Sequence, residues 1–480
     1  MATSPISSIG VGSGLPLDTL LDGLRKAENA PLAALQNRAT KEQQRYTAYG
    51  TILSALDGVA TAAASLGKNE TYNAVKASVT GDTFTARSKT DSGAIPGNYT
   101  VSVGNLAQAQ VLSSDGTASR STNLASGSGL VDISFTLDTG DTHTVSIDAG
   151  KSSLEDIVKA INADSKLGVS ATLMNDGTEN PHRLMISADQ TGTDNRVTSI
   201  TLAAGEGTSG IDLSGLESVL SYDNSNPEAG GMKQIVAAEN AQVSINGILV
   251  TSQGNSIEDA IEGVTLTLVK KTAEDATPDT LRITRDDTVA NTAVNNFVSA
   301  YNALQSTIKA LTAYDVDAQE GAALTGDSLA RRAQTQVRDA INGLAVNGMT
   351  LSSLGIKTDP TTGNLSVDNE QFNEALANNR ADIQQLFAGE NGLSKRVTAA
   401  TEVFTKSDGL LKTSQDGITR TLKQLDLQYN QMQARIDQKM DTYRTQFVQL
   451  DSFMAQMNSV SSYLTQQLSM LANLNNSNNK

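Results

Sequence analysis

Near the C-terminal end, apolar residues recur at Leu422, Leu425, Tyr429, Met432, Ile436, Met440, Tyr443, Phe447, Leu450, Met454, Met457, Val460, Leu464, Leu468 and Leu471, a mean spacing of 3.5 residues. That is the coiled-coil period, and it predicts one helix of about 75 Å at ~1.5 Å per residue. The N-terminal end carries two shorter stripes, Leu17, Leu20, Leu21 and Leu24, then Tyr46, Tyr49, Leu53, Leu56, Ala60 and Ala63. Pro31 lies between them. A proline lacks the N–H that a helix interior needs but suits a first helical position, so a joint is expected near residue 30.

Residues 75 to 287 change period. Short alternating runs such as YTVSV (99–103), VDISFTL (131–137), THTVSI (142–147) and RLMISA (183–188) predict strands. Asn246-Gly247, between QVSI and ILVTS, predicts a two-residue hairpin turn, because both positions must tolerate positive φ. A faint repeat relates VSIDAGKSSLEDIVKAI (145–161) to VSINGILVTSQGNSIEDAI (243–261), each expected to end in a short helix opened by a serine cap. Gly, Ser and Asn concentrate at 221–231, a candidate boundary, with a softer one at 113–129.

The helical period returns at Asp287. Val294, Phe297, Val298, Tyr301, Leu304, Ile308 and Leu311 make one face; a second helix is expected after a cap at Asp327, and a third near Asp368 with Glu370 in its first turn. The order is helices, strands, helices. The fold class is therefore α+β and multidomain: the chain leaves a helical stalk, builds β-rich modules and returns.

At 480 residues the chain can bury several cores. Its net charge of −16 opposes nucleic acid and anionic membrane surfaces as partners. The absence of cysteine removes disulfides and thiolate metal sites. The first basic residue is Arg25, with no apolar run of signal-peptide length before it, and no segment reaches the ~18 apolar residues of a membrane span. No membrane insertion is expected.

Catalytic chemistry has little to stand on. The two histidines, His143 and His182, sit in strand-like runs with no nucleophile elbow beside them. Gly150-Lys151-Ser152 lacks the first glycine of a phosphate loop, since position 145 is Val. Asp315 and Asp317 begin a calcium-like loop, yet Glu320 stands where glycine is required and Gly326 where a bidentate glutamate is required. Gly10, Gly12 and Gly14 read as a flexible segment. No catalytic, cofactor-binding or metal residue is assigned, and no cofactor is expected.

Charge distribution says more. No Asp, Glu, Lys or Arg occurs before Asp18 or between Asp451 and Lys480. A membrane-surface helix would show basic residues, and a solvated coiled coil charged flanks; this helix offers Ser, Gln and Asn instead. It reads as a helix that packs against protein on several sides. Both uncharged tips, 1–17 and 452–479, are expected to order only on assembly.

SSIGVGSGLPLDTLLDGLRKAENAPL (7–32), AIPGNYTVSVGNLAQAQ (94–110), FVSAYNAL (297–304), LTGD (324–327), LSSLGIKTDPTTGNLSVDNEQF (351–372), LFAGENGL (386–393) and QFVQLDSFMAQMNSVSSYLTQQL (446–468) together resemble, in order and spacing, the bacterial flagellar filament cap family, the hook-associated protein 2 family. The resemblance covers essentially the whole chain and is thinnest over 115–235. It implies a discontinuous architecture: a terminal coiled coil from 1–42 with 446–480, a helical leg from 43–74 with 288–445, a β-rich domain from 75–115 with 235–287, and an outer β-rich domain from 116–234.

The same resemblance implies a ring-shaped homo-oligomer, a pentamer, at the distal filament tip, promoting the folding and insertion of exported flagellin. The implied partners are further copies of the chain, flagellin, the hook-filament junction protein and an export chaperone on the C-terminal helix. Secretion through the flagellar export apparatus, without a cleaved signal peptide, would place it outside the cell. Leu17, Leu20, Leu21 and Leu24, with Phe447, Leu450, Met454, Met457, Leu464 and Leu468, are the expected assembly interface; the same residues could equally pair within one chain. A hook-filament junction protein and a surface adhesin are the alternatives.

Overall fold

The computed structural model describes residues 14–89, 93–228 and 230–477. The chain forms two compact units, one from its two ends, up to residue 71 and from residue 290, the other from residues 72–289. Gly10 and Gly12 lie outside the described residues.

Helix α1 (Leu17–Leu66) opens the end-built unit and is followed by the single turn α2 (Glu70–Asn73). Pro31 does not divide α1, contrary to the joint expected at residue 30: one helix of 50 residues runs through it. Pro31 is exposed, while its neighbour Leu32 is buried in a cluster with Ile436 and Met440. Packing on both sides of the proline therefore carries the helix across the lost hydrogen bond.

The middle unit holds two apolar cores. Strands β1 (Val75–Thr80), β2 (Phe84–Ser88), β3 (Gly97–Asn105) and β4 (Val111–Ser114) come first. Then follow β5 (Leu130–Leu137), β6 (Thr142–Asp148), helix α3 (Leu154–Ala163), β7 (Val169–Asn175), β8 (His182–Ala188), β9 (Val197–Ala204), helix α4 (Ser214–Leu220), β10 (Tyr222–Asp223) and β11 (Met232–Val236). The chain closes with β12 (Ala241–Ile245), β13 (Ile248–Ser252), β14 (Ser256–Ile261), β15 (Val264–Leu268) and β16 (Asp279–Arg285).

One core lies between the sheets ordered β10-β9-β5-β6 and β11-β4-β8-β7, with α3 and α4 contributing Leu154, Ile157 and Leu216. The alternation read in VDISFTL is visible here: Val131, Ile133 and Phe135 are buried, Asp132 and Ser134 are not. Truncating a fully buried phenylalanine such as Phe135 costs about 3–5 kcal/mol. The other core is enclosed by the sheets β1-β16-β3-β12-β13 and β14-β15-β2, around Phe84, Val101, Val243, Leu266 and Leu281.

The segments that connect the two cores, 106–110 and 237–240, are held by directed hydrogen bonds. Gln108 and Glu239 exchange backbone bonds at 2.9 and 3.1 Å. The buried amide of Gln110 donates to the Val197 carbonyl at 3.2 Å and accepts from the Val197 N–H at 2.8 Å. Thr193 N–H donates to Asn240 Oδ1 at 2.7 Å.

The hairpin at Asn246-Gly247 forms as expected, with φ of 49° and 85° and Ile245 opposite Ile248. Ser153 caps α3 as expected, accepting from Asp156 N–H at 3.3 Å. The repeat fails at its second copy, however: SIEDAI (256–261) is strand β14, not a capped helix. Ile257 and Ile261 are spaced for either structure, and pairing with β15 decides, bringing Ile257 opposite Leu266 and Ile261 opposite Val264.

Returning to the end-built unit, α5 (Asp287–Thr312) is followed by a hairpin of β17 (Tyr314–Asp315) and β18 (Glu320–Gly321), then α6 (Ser328–Ile341). Small pairs β19 (Ala345–Val346) with β20 (Met349–Thr350) and β21 (Ile356–Thr358) with β22 (Leu365–Val367) lead to α7 (Asn369–Ala388), α8 (Leu393–Thr405) and α9 (Leu410–Ser477). Both expected caps form: Asp327 Oδ1 accepts from Leu329 and Ala330 N–H, each at 2.9 Å, and Asp368 Oδ1 from Gln371 N–H at 3.1 Å. Ile52, Leu56, Val59, Phe297, Phe372, Phe387, Phe404 and Leu411 are buried in this unit.

Candidate assembly interface

Helices α1 and α9 run antiparallel. Arg25 pairs with Asp437 at 3.5 Å, Lys439 with Glu28, Gln36 donates to the Tyr429 hydroxyl at 3.2 Å, and Gln415 donates to the Tyr46 carbonyl at 3.2 Å. The two ion pairs are exposed and screened by solvent, so they set register more than stability. The stability comes from Leu32, Ile436 and Met440, with Leu21, Leu24, Tyr429, Met432 and Tyr443 packed against them.

The ten expected interface leucines, methionines and phenylalanine thus divide. Leu17 is buried, Leu21 and Leu24 pack on the α9 cluster, and only Leu20 of that stripe stands exposed, at 54%. On α9, Phe447 and Met454 are half-buried, while Leu450, Met457, Leu464 and Leu468 are exposed. The first half of the 3.5-residue stripe therefore meets α1 within the chain. From Leu450 onward it meets solvent, except at the half-buried Met454.

Sequence reasoning missed the width of this exposed band. Val448, Phe453, Tyr463 and Met470 are exposed apolar residues beside the seam. A heptad count selects only seam positions; the signal was an apolar residue adjacent to a seam residue, as Phe453 is to Met454 and Tyr463 to Leu464. Beyond Asp451 the helix has uncharged polar flanks, so nothing ionic opposes burial of its whole circumference there.

The remaining candidate chemistry stays dispersed. His143 lies on β6 opposite Phe135, and His182 on β8 opposite Asn175. Gly150 and Lys151 form a single tight turn, with Gly150 N–H donating to Asp148. In the β17–β18 loop Asp315 Oδ1 accepts from Asp317 and Ala318 N–H at 3.0 and 2.9 Å. A groove between α1, the end of α5 and α9 is lined by Thr40, Gln43, Thr47, Leu311, Ala323 and Leu422, and holds no titratable group. Among the described residues no cluster of His, Asp and Glu has the makings of a metal site, and no helix is long and apolar enough to cross a membrane.

Comparison with known proteins matches this arrangement. Residues 13–110 match the flagellar hook-associated protein 2 N-terminus model, residues 238–459 the flagellar hook-associated protein 2 C-terminus model, and residues 131–190 the flagellin hook IN motif. Flagellar hook-associated protein 2 of Escherichia coli K12 is 36% identical over 490 residues, covering 99% of both chains. That of Salmonella typhimurium LT2 is 34% identical, covering 97% of this chain and 99% of the relative. The crystal structure of the flagellar cap protein FliD D1-D2-D3 domains from Escherichia coli superimposes with a TM-score of 0.66 at 33% identity, over 78% of this chain and 99% of that one. On these grounds the chain belongs to the flagellar hook-associated protein 2 family.

Proposed function

We propose that this flagellar filament cap works without an enzymatic site, as a ring-shaped homo-oligomer, a pentamer, at the distal filament tip. The ring confines exported flagellin while it folds and inserts, and prevents its loss. The observation that carries this reading is the exposed, charge-free apolar band of α9 from Phe453 to Leu471, a surface that an isolated molecule leaves in water. Leu20, Leu450, Met457, Leu464 and Leu468 are its contact residues toward neighbouring subunits, with Leu17, Leu21, Leu24, Phe447 and Met454 supporting them from within the chain.

The same band accounts for two further partners: an export chaperone that covers it before assembly, and the hook-filament junction protein on which the cap first rests. Export through the flagellar apparatus, without a cleaved signal peptide, delivers the chain outside the cell. The four-part division stated above, with a terminal coiled coil, a leg, and two β-rich head domains, places β4 and β11 at the seam where the outer domain, 116–234, joins. Closed cyclic assembly suits a cap, because contacts that close on themselves do not propagate.

The test is the double variant Leu464→Ser/Leu468→Ser, expressed in cells whose own cap gene is removed. Secreted, folded variant protein with flagellin lost to the medium and no motility is the expected result. Normal filaments from that variant would overturn the assignment of the band.

A further inference from the structure

Strand β13 is the outermost strand of its sheet and pairs on one side only, with β12. Because the turn between them has two residues, the hydrogen-bonded pairs fall at Ile248, Val250 and Ser252. The N–H and C=O groups of Leu249 and Thr251 therefore point outward, and among the described residues no backbone group bonds them there. Ile248 is 70% exposed and Leu249 63%.

The outer strand of the facing sheet is treated differently. In β14 the register breaks between Glu258 and Ile261, Asp259 stands at φ 57°, and Lys89 pairs with Glu258 at 2.9 Å and with Asp259 at 3.5 Å. Bulges and charges of this kind blunt an edge against further pairing. On β13 the register with β12 is continuous and there is neither proline nor charge. Residues 93–114 and 240–257, which supply β3, β12 and β13, contain no Asp, Glu, Lys or Arg in a chain of net charge −16.

We propose that β13 is a docking edge for a second copy of this chain, the two strands pairing antiparallel about a two-fold axis at Val250. In that register Leu249 of one copy meets Thr251 of the other at both ends, and about four N–H···O bonds form. Val250 faces the other copy's Val250 as a non-hydrogen-bonded pair, with Cα atoms ~4.5 Å apart. A strongly acidic molecule meets its own copy at least electrostatic cost where charge is absent, and an antiparallel strand pair is self-complementary, as a two-fold contact must be. A two-fold contact does not lie between neighbours in a ring of five, so this one joins copies that are not neighbours in one ring, and it stands or falls separately from the α9 band.

Because the chain has no cysteine, single substitutions report the register directly. In the full-length protein, Val250→Cys should oxidise to a disulfide dimer at least about tenfold faster than Ser78→Cys, an exposed control on the opposite edge strand β1, since only the first pair falls within disulfide reach. Leu249→Cys mixed with Thr251→Cys should give the mixed dimer faster than either alone, which keeps the test open should Val250→Cys fold poorly. Adding Leu249→Lys to Val250→Cys should abolish the rapid cross-link. Cross-linking of Val250→Cys no faster than the control, or equal self-linking at 249, 250 and 251, would overturn the proposal, as would preferential linkage to a different protein.

Discussion

The hydroxyl of Tyr49 on α1 donates a 2.6 Å hydrogen bond to Oδ2 of Asp327, the residue whose other oxygen caps α6. One carboxylate thereby ties two helices that are 278 positions apart. Asp327→Ala should cost more than Tyr49→Phe, because it removes a cap worth about 1 kcal/mol and strands a buried hydroxyl. Tyr49→Phe should cost about 1–2 kcal/mol. Urea unfolding followed by circular dichroism checks both, and the double variant should fall short of the sum of the two losses.

Burial, and then the bond to the Asp327 carboxylate, push the Tyr49 phenol up to about 12. The folded state thus holds this proton where the unfolded chain, with an ordinary tyrosine, releases it near pH 10. Its contribution is complete below that pH and disappears as pH climbs toward 12. Thermal melts between pH 9 and 12 should show wild-type stability falling and Tyr49→Phe falling less steeply. Parallel curves would mean that the bond forms without protecting the proton.

Removal of the outer head should be tolerated at one joint in particular. Gln108 and Glu239 already exchange two backbone bonds, the pairing that a two-residue hairpin turn requires. Replacing residues 109–238 by Asn-Gly should leave a soluble protein with a cooperative melt. The shorter deletion of 116–234 leaves Leu112, buried in the outer core, bare, and should aggregate more readily in light-scattering assays.

Hydrogen exchange should distinguish the two halves of α9. Amides between 422 and 443, packed on α1, should be protected in the monomer, whereas those from 452 to 473 should exchange fast until the ring forms. Strong protection of the latter in a verified monomer would contradict coupling of their order to assembly.

The double variant His143→Ala/His182→Ala should assemble and support swimming as the parent does, measured by spreading in soft agar. Loss of motility with normal secretion would reopen the question of a chemical site in the head.

Where one neighbour decides a conformation, the sequence was readable: the Asp327 and Asp368 caps, the Asn246-Gly247 turn and the inward faces of β5 follow from side chains a few positions apart. Pro31 and 256–261 were misread because distant partners outweigh local preference there, α9 holding α1 straight and β15 drawing Ile257 into a ladder. The interface stripe was legible as a period. Its division into a covered half and a bare half was not, since that depends on where α1 begins relative to α9, a length relation no local pattern records.

The ion pairs of Arg25 with Asp437 and of Glu28 with Lys439 join positions 412 and 411 residues apart. Between synthesis of the two ends the chain must make its whole β-rich middle, so the face of α1 that carries Leu21, Leu24 and Leu32 waits for its α9 partner for nearly the full time of translation. Closing so long a loop is slow, and its entropy cannot be recovered piecemeal. The stalk is consequently a terminal event in the life of each molecule: a chain still held by the ribosome has no stalk, and a truncated one never acquires it.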